Sequence, residues 1–185
     1  MVSVVSLWLP VLLSAVLVFI VSSIIHMVLR YHRSDVGPVP DEAAVMDALR
    51  PFKIPPGDYC IPHAADPKEM NSPEFVEKTN RGPVALVTVL SNRPVNMGKS
   101  LAMWFAYCVV VGVFAGYATG LHIGPGADYM AVFKMVSVVA FAGYSLAILQ
   151  SAIWWHRGWG ATLRTMFDGL VYSLLTAGTF GWLWP

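Results

Sequence analysis

Residues 7–29 read LWLPVLLSAVLVFIVSSIIHMVL, an apolar run without a formal charge. A helix crossing the hydrocarbon core of a bilayer needs about 20 such residues, so this run is long enough to span. No basic residue precedes it and no small-x-small cleavage site follows it, which points to a retained anchor rather than a removed signal peptide. Basic residues come directly afterwards, at Arg30 and Arg33. That asymmetry predicts an N-terminus outside and the following segment inside.

Working outward, the chain turns polar from Arg30 to Lys99. This segment holds nine of the twelve basic residues, nine of the eleven acidic ones and ten of the thirteen prolines. Beyond it lie three further apolar runs, about Leu101–Thr119, Tyr129–Trp154 and Thr162–Trp182. The expected fold is therefore an all-α membrane protein with four transmembrane helices: helix one in residues 1–30, a Pro-rich and mostly irregular cytoplasmic insertion over 31–99, and a three-helix bundle over 100–185. The turn between the second and third runs (GLHIGPGAD) has no Lys or Arg, whereas Arg157 and Arg164 flank the next one. Counting basic residues, both termini belong outside and residues 31–99 inside, and all four crossings alternate consistently. Trp8, Tyr117, Tyr129, Trp182 and Trp184 then form an outer aromatic belt, and Tyr31, Trp104, Trp154, Trp155 and Trp159 an inner one.

Composition excludes several function classes. Across 185 residues, 56% are hydrophobic and only 12% charged, about half the usual share of a soluble domain. A net charge of +1 without a basic stripe argues against a nucleic-acid partner. Two cysteines, Cys60 in the polar segment and Cys108 in an apolar run, make no disulfide framework.

Within the insertion, Asp41–Arg50 has acids in its first turn, Arg at its last and Pro51 as a stop, which predicts a short helix. Asp66-Pro67 and Ser72-Pro73 each set a capping side chain before a proline at the first helical position, predicting two short helices that end near Gly82. Val84–Leu90 (VALVTVL) is bounded by prolines and reads as a strand, which needs a partner to be stable.

Small residues recur every fourth position in the later runs: Gly112, Gly116 and Gly120; Gly143, Ala147 and Ser151; Gly169, Ser173, Ala177 and Gly181. In lipid, faces of this kind let backbones approach and drive helix association. Ionisable residues inside a bilayer demand either a function or a partner. Lys134 is shallow enough to snorkel toward Asp128, while Arg164 and Asp168, four apart, are placed to neutralise each other. A small transporter or channel built on Lys134, Arg164 and Asp168 is the functional alternative to that structural pairing.

Ligand-bearing residues are sparse. Cys60 and His63 form one close pair, but structural zinc takes four ligands, and His26 or His32 would complete a set only by folding back. His26 and His156 lie near the inner boundary, where a facing pair would suit haem. Gly98-Lys99-Ser100 follows a predicted strand, yet a phosphate loop requires glycine where Arg93 stands. No catalytic constellation emerges, so neither an enzyme nor a cofactor is expected.

The segments IPHAADPKEMNSPEFVEKTNRGPV (61–84), NMGKSLAMWFAY (96–107) and DGLVYSLLTAGTFGWLWP (168–185) resemble a family of small uncharacterised bacterial inner-membrane proteins. The resemblance covers most of the chain. It implies a multi-pass inner-membrane location and attaches no activity to any residue. The leading expectation is thus a structural or accessory subunit whose partners are the lipid bilayer and either another membrane protein or a second copy. A transporter is the rival, and a haem or metal redox protein using His26, Cys60, His63 and His156 is the third reading.

Overall fold

The computed structural model describes residues 1–94 and 96–185. The protein is mostly helical and divides into two compact units, one formed by residues 1–37 with 96–185 and the other by residues 38–95.

In the first unit a short 3-10 turn leads into α1 (Trp8–Met27); α5 (Met97–His122), α6 (Tyr129–Phe141), α7 (Ile148–Trp154) and α8 (Trp159–Trp182) complete it. The second unit holds α2 (Glu42–Leu49), α3 (Pro67–Met70), α4 (Pro73–Arg81), β1 (Gly57–Ile61) and β2 (Ala85–Val89). Three helical stretches, Val4–Met27, Met97–His122 and Tyr129–Trp154, are long and apolar enough to cross a membrane. This is consistent with a membrane protein. α8 is comparably long at 24 residues but less apolar, since it carries Arg164 and Asp168.

The four long rods pack in the cyclic order α1, α5, α6–α7, α8 and back to α1. Val11, Ala15 and Val18 of α1 and Val132, Val136 and Ala140 of α6 recur at helical spacing and are buried, each set forming one inward stripe. Glycines lie where rods come closest. Gly112 faces Val11 and Ser14 of α1, and a Cβ at Gly116 would come within 2.9 Å of Phe180 and 3.1 Å of Leu7. One at Gly120 would meet the Val2 carbonyl oxygen at 2.7 Å, and one at Gly169 would overlap Ser145. Ser173 and Ala177 are buried on the same side of α8.

Between α6 and α7 the helix does not break but widens into a π-helical turn, Ala142–Leu146. Such a turn holds one residue more than an α-helical turn. It brings Tyr144 and Ser145 together into the buried interior, where the Ser145 hydroxyl donates to the Met166 carbonyl of α8 at 3.2 Å.

In the second unit the capping residues act as the sequence suggests. Asp66 accepts from the Lys68 and Glu69 amides at 2.8 Å, and Ser72 from the Phe75 amide at 3.2 Å. Gly82 terminates α4 with φ +60° and ψ −175°, a positive-φ conformation that glycine adopts with least strain. β2 pairs antiparallel with β1, from Gly57 opposite Val89 to Ile61 opposite Ala85. The predicted strand therefore has a partner that the sequence did not disclose, and the unit carries more regular structure than the expected irregular insertion.

Candidate functional site

The charged side chains of the helical unit that are not exposed meet at one place. α1 ends at Met27, and residues 28–37 turn back so that Tyr31, His32 and Asp35 reach α8. Asp168 of α8 is fully buried. One of its oxygens accepts from the Tyr31 hydroxyl, and the other lies 2.7 Å from His32 Nε2. The opposite ring nitrogen, His32 Nδ1, is 2.6 Å from an oxygen of Asp35. Arg164, one turn before Asp168, donates to the remaining Asp35 oxygen from Nε at 2.8 Å and also from Nη2.

These contacts fix the protonation chemistry. A neutral imidazole has one N–H, yet both His32 nitrogens sit within hydrogen-bond distance of a carboxylate oxygen. An imidazolium satisfies both. Burial works against that charge, but the hydrogen bonds to Asp35 and Asp168 outweigh it and hold the His32 pKa above its ordinary value. Asp35 moves the other way: its hydrogen bond to His32, aided by Arg164 and opposed by partial burial, lowers its carboxyl pKa. Burial, then the hydrogen bond to Asp168, makes the Tyr31 hydroxyl harder to ionise. Two cations and two anions thus form a cluster with no net charge.

His26, on the last turn of α1, stacks on His32 with ring centroids 4.6 Å apart and planes within 7°. Its Nδ1 lies 3.0 Å from the Ser22 carbonyl oxygen, so that nitrogen carries the proton and Nε2 remains a free donor of electrons. His26, His32 and Asp168 each offer one ligand atom, and these atoms lie within 4.8 Å of one another. Beside them opens a cavity of about 580 Å³ lined by His26, His32 and Asp35 and, across it, Ser151, His156 and Arg157.

The expected Arg164–Asp168 pair is corrected by this geometry. Each residue has a different partner, because the chain after α1 delivers Asp35 to the arginine and Tyr31 and His32 to the aspartate. Asp128 does not pair with Lys134 but accepts from the Met130 amide at 2.9 Å, capping α6; Lys134 is exposed and outside the cluster. His26 and His156 line the same cavity, whereas Cys60, on β1, and His63 belong to the other unit. Reading residues singly missed Tyr31, Asp35 and the central position of His32. The available signal was Asp168 itself, an acid in an apolar run, together with the His32/Asp35 spacing just past another such run.

Comparison with protein-family models, curated proteins and solved structures finds no match. The geometry alone therefore carries the functional reading.

Proposed function

We propose that this chain is a small bacterial inner-membrane adaptor: a four-span anchor, with α8 as the fourth span, that presents residues 38–95 on the cytoplasmic side to another membrane protein. The carrying observation is that no described side chain of residues 38–95 is buried, although the unit bears Phe52 at 73%, Val84 at 64% and Leu90 at 67% exposure. A folded unit with its apolar side chains uncovered is suited to being covered by a partner.

The pairing of the two charges on α8, Arg164 and Asp168, favours this reading over a transporter. Asp35, Asp168, His32 and Arg164 neutralise one another. On α1 and α8 the hydroxyls of Ser14, Thr176 and Thr179 are engaged with their own helices, through the Val11, Tyr172 and Leu175 carbonyls. Ser145 bonds across to α8, and the buried Thr119 and Tyr172 hydroxyls have no partner among the described residues. A conducting path needs polar groups facing one another across the bundle.

A photo-reactive side chain in place of Phe52, activated in native membranes, should give one discrete adduct with a membrane protein, whereas one at Val138 on the exposed side of α6 should not. Cys60 should react with membrane-impermeant thiol reagents only after the membrane is opened. Smeared or absent adducts from Phe52, or proton flux in liposomes that disappears in Asp168→Asn while the protein stays folded, would defeat the adaptor reading.

A further inference from the structure

We propose that His26, His32 and Asp168 bind a divalent first-row transition-metal ion. This is separate from the adaptor reading and stands or falls without it. The three residues supply two imidazole nitrogens and one carboxylate oxygen, with ligand atoms within 4.8 Å of one another. Zinc holds such ligands at about 2.0–2.2 Å, which places ligand atoms roughly 3.3 Å apart in a tetrahedron. Each imidazole lone pair lies in its ring plane, so bringing both rings onto one ion also turns His26 out of parallel with His32, which its exposed position on the last turn of α1 permits without movement of a helix.

The surroundings favour metal binding more than the three residues alone. A histidine that ligates a metal through one nitrogen usually donates its other N–H to a carboxylate or a backbone carbonyl, which fixes the tautomer and the ring orientation. Both patterns are present. His26 Nδ1 is directed at the Ser22 carbonyl at 3.0 Å, and His32 Nδ1 at Asp35 at 2.6 Å, with Asp35 itself held by Arg164. In each ring Nε2 is the nitrogen left to coordinate. Tyr31 steadies the carboxylate of Asp168, which has no exposed surface.

Access and selectivity follow from the same arrangement. His26 and His32 line the cavity, as does His156, so an ion held by them has an entry route. The ion takes the place of the hydrogen between His32 Nε2 and Asp168, and that proton leaves through the cavity. Two imidazoles with one carboxylate suit zinc, iron, cobalt or nickel, whereas magnesium and calcium prefer all-oxygen sets.

The test uses full-length protein in detergent, stripped with chelator and equilibrated with Zn²⁺ in excess Mg²⁺. One zinc per chain should bind and raise the melting temperature in a saturable way. X-ray absorption of the zinc form should show only nitrogen and oxygen neighbours with imidazole scattering. His26→Gln, which removes a ligand outside the ion pairs, should weaken binding at least tenfold and leave the chelator-treated protein as stable as wild type; His63→Ala should bind like wild type. No zinc bound at 100 µM, a sulfur neighbour, undiminished binding in His26→Gln, or loss of binding in His63→Ala would overturn the proposal. Should His26→Gln prove unstable, the absorption spectrum of the wild-type zinc form decides alone.

Discussion

Replacing His32 with alanine strands the carboxylate of Asp168. That carboxylate is fully buried and keeps only the Tyr31 hydroxyl as a donor. Removing one partner of a buried ion pair costs about 3–5 kcal/mol, because the remaining charge is uncompensated. Asp35 also loses His32, but it retains Arg164 and its side chain is 21% exposed, so this adds about 1 kcal/mol or less. Asp168→Asn has a milder expected effect. Its amide oxygen can accept from Tyr31 and its NH₂ can donate to a neutral His32 whose proton sits on Nδ1 toward Asp35. All groups stay paired, and the loss is about 1–2 kcal/mol, the difference between charged and neutral hydrogen bonds. In the double variant the stranded charge is gone and one amide donor lacks a partner, costing about 1–3 kcal/mol. The double variant should therefore be more stable than His32→Ala alone by about 2 kcal/mol. Equilibrium unfolding in mixed micelles, with chelator present, measures the full cycle. Strict additivity of the two substitutions would refute a charged Asp168 paired with His32.

Stability should also depend on pH through two opposed limbs. The raised pKa of His32 gives stabilisation that is complete below about 6.5 and is lost as pH rises through the raised value; the lowered pKa of Asp35 gives stabilisation that is complete above about 3.9 and is lost as pH falls. Melting temperature in chelator should therefore plateau between about pH 4 and 6.5 and decline above it. The groups facing His32 are Asp35, Asp168, Tyr31 and His26, and in His32→Ala the alkaline decline should flatten. Tyr31→Phe removes one donor from Asp168 and should cost about 1.5–3 kcal/mol by micelle unfolding. Gly169→Ala forces a methyl group into Ser145 and should lose about 1–3 kcal/mol, whereas Gly124→Ala, with nothing within 4 Å of the new Cβ, should match wild type.

What the sequence disclosed was local. The apolar run at 7–29, the cap–proline starts at Asp66 and Ser72 and the stop at Gly82 depend on residues within a few positions of one another, and periodicity or capping chemistry finds them. The strand Gly57–Ile61 lacked such marks, since its Asp58, Cys60 and flanking prolines are poor strand signals; its pairing with Ala85–Val89 makes it a strand. The charge cluster was hidden by distance along the chain. Asp35 and Arg164 are 129 positions apart and Tyr31 and Asp168 are 137 apart. An i,i+4 rule offered Asp168 the nearest cation, Arg164, but both side chains have partners on residues 31–35. Those residues count with the helical unit, which extends to Gly37.

The π-helical turn at Ala142–Leu146 has a consequence for how this chain tolerates change in length. One surplus residue rotates everything beyond it by about 100° relative to an unbroken α-helix. Ile148 and Ser151 owe their position on the cavity wall to that rotation. A single-residue deletion inside the turn, usually ruinous in a packed helix, would here give back an ordinary α-helical repeat and leave both Tyr129–Phe141 and Ile148–Trp154 in register. Its effect would be confined to the turn itself, where Tyr144 and Ser145 would no longer enter the interior together. The turn thus works as a frame adjuster: it takes up one codon while α7 keeps its face toward the cavity.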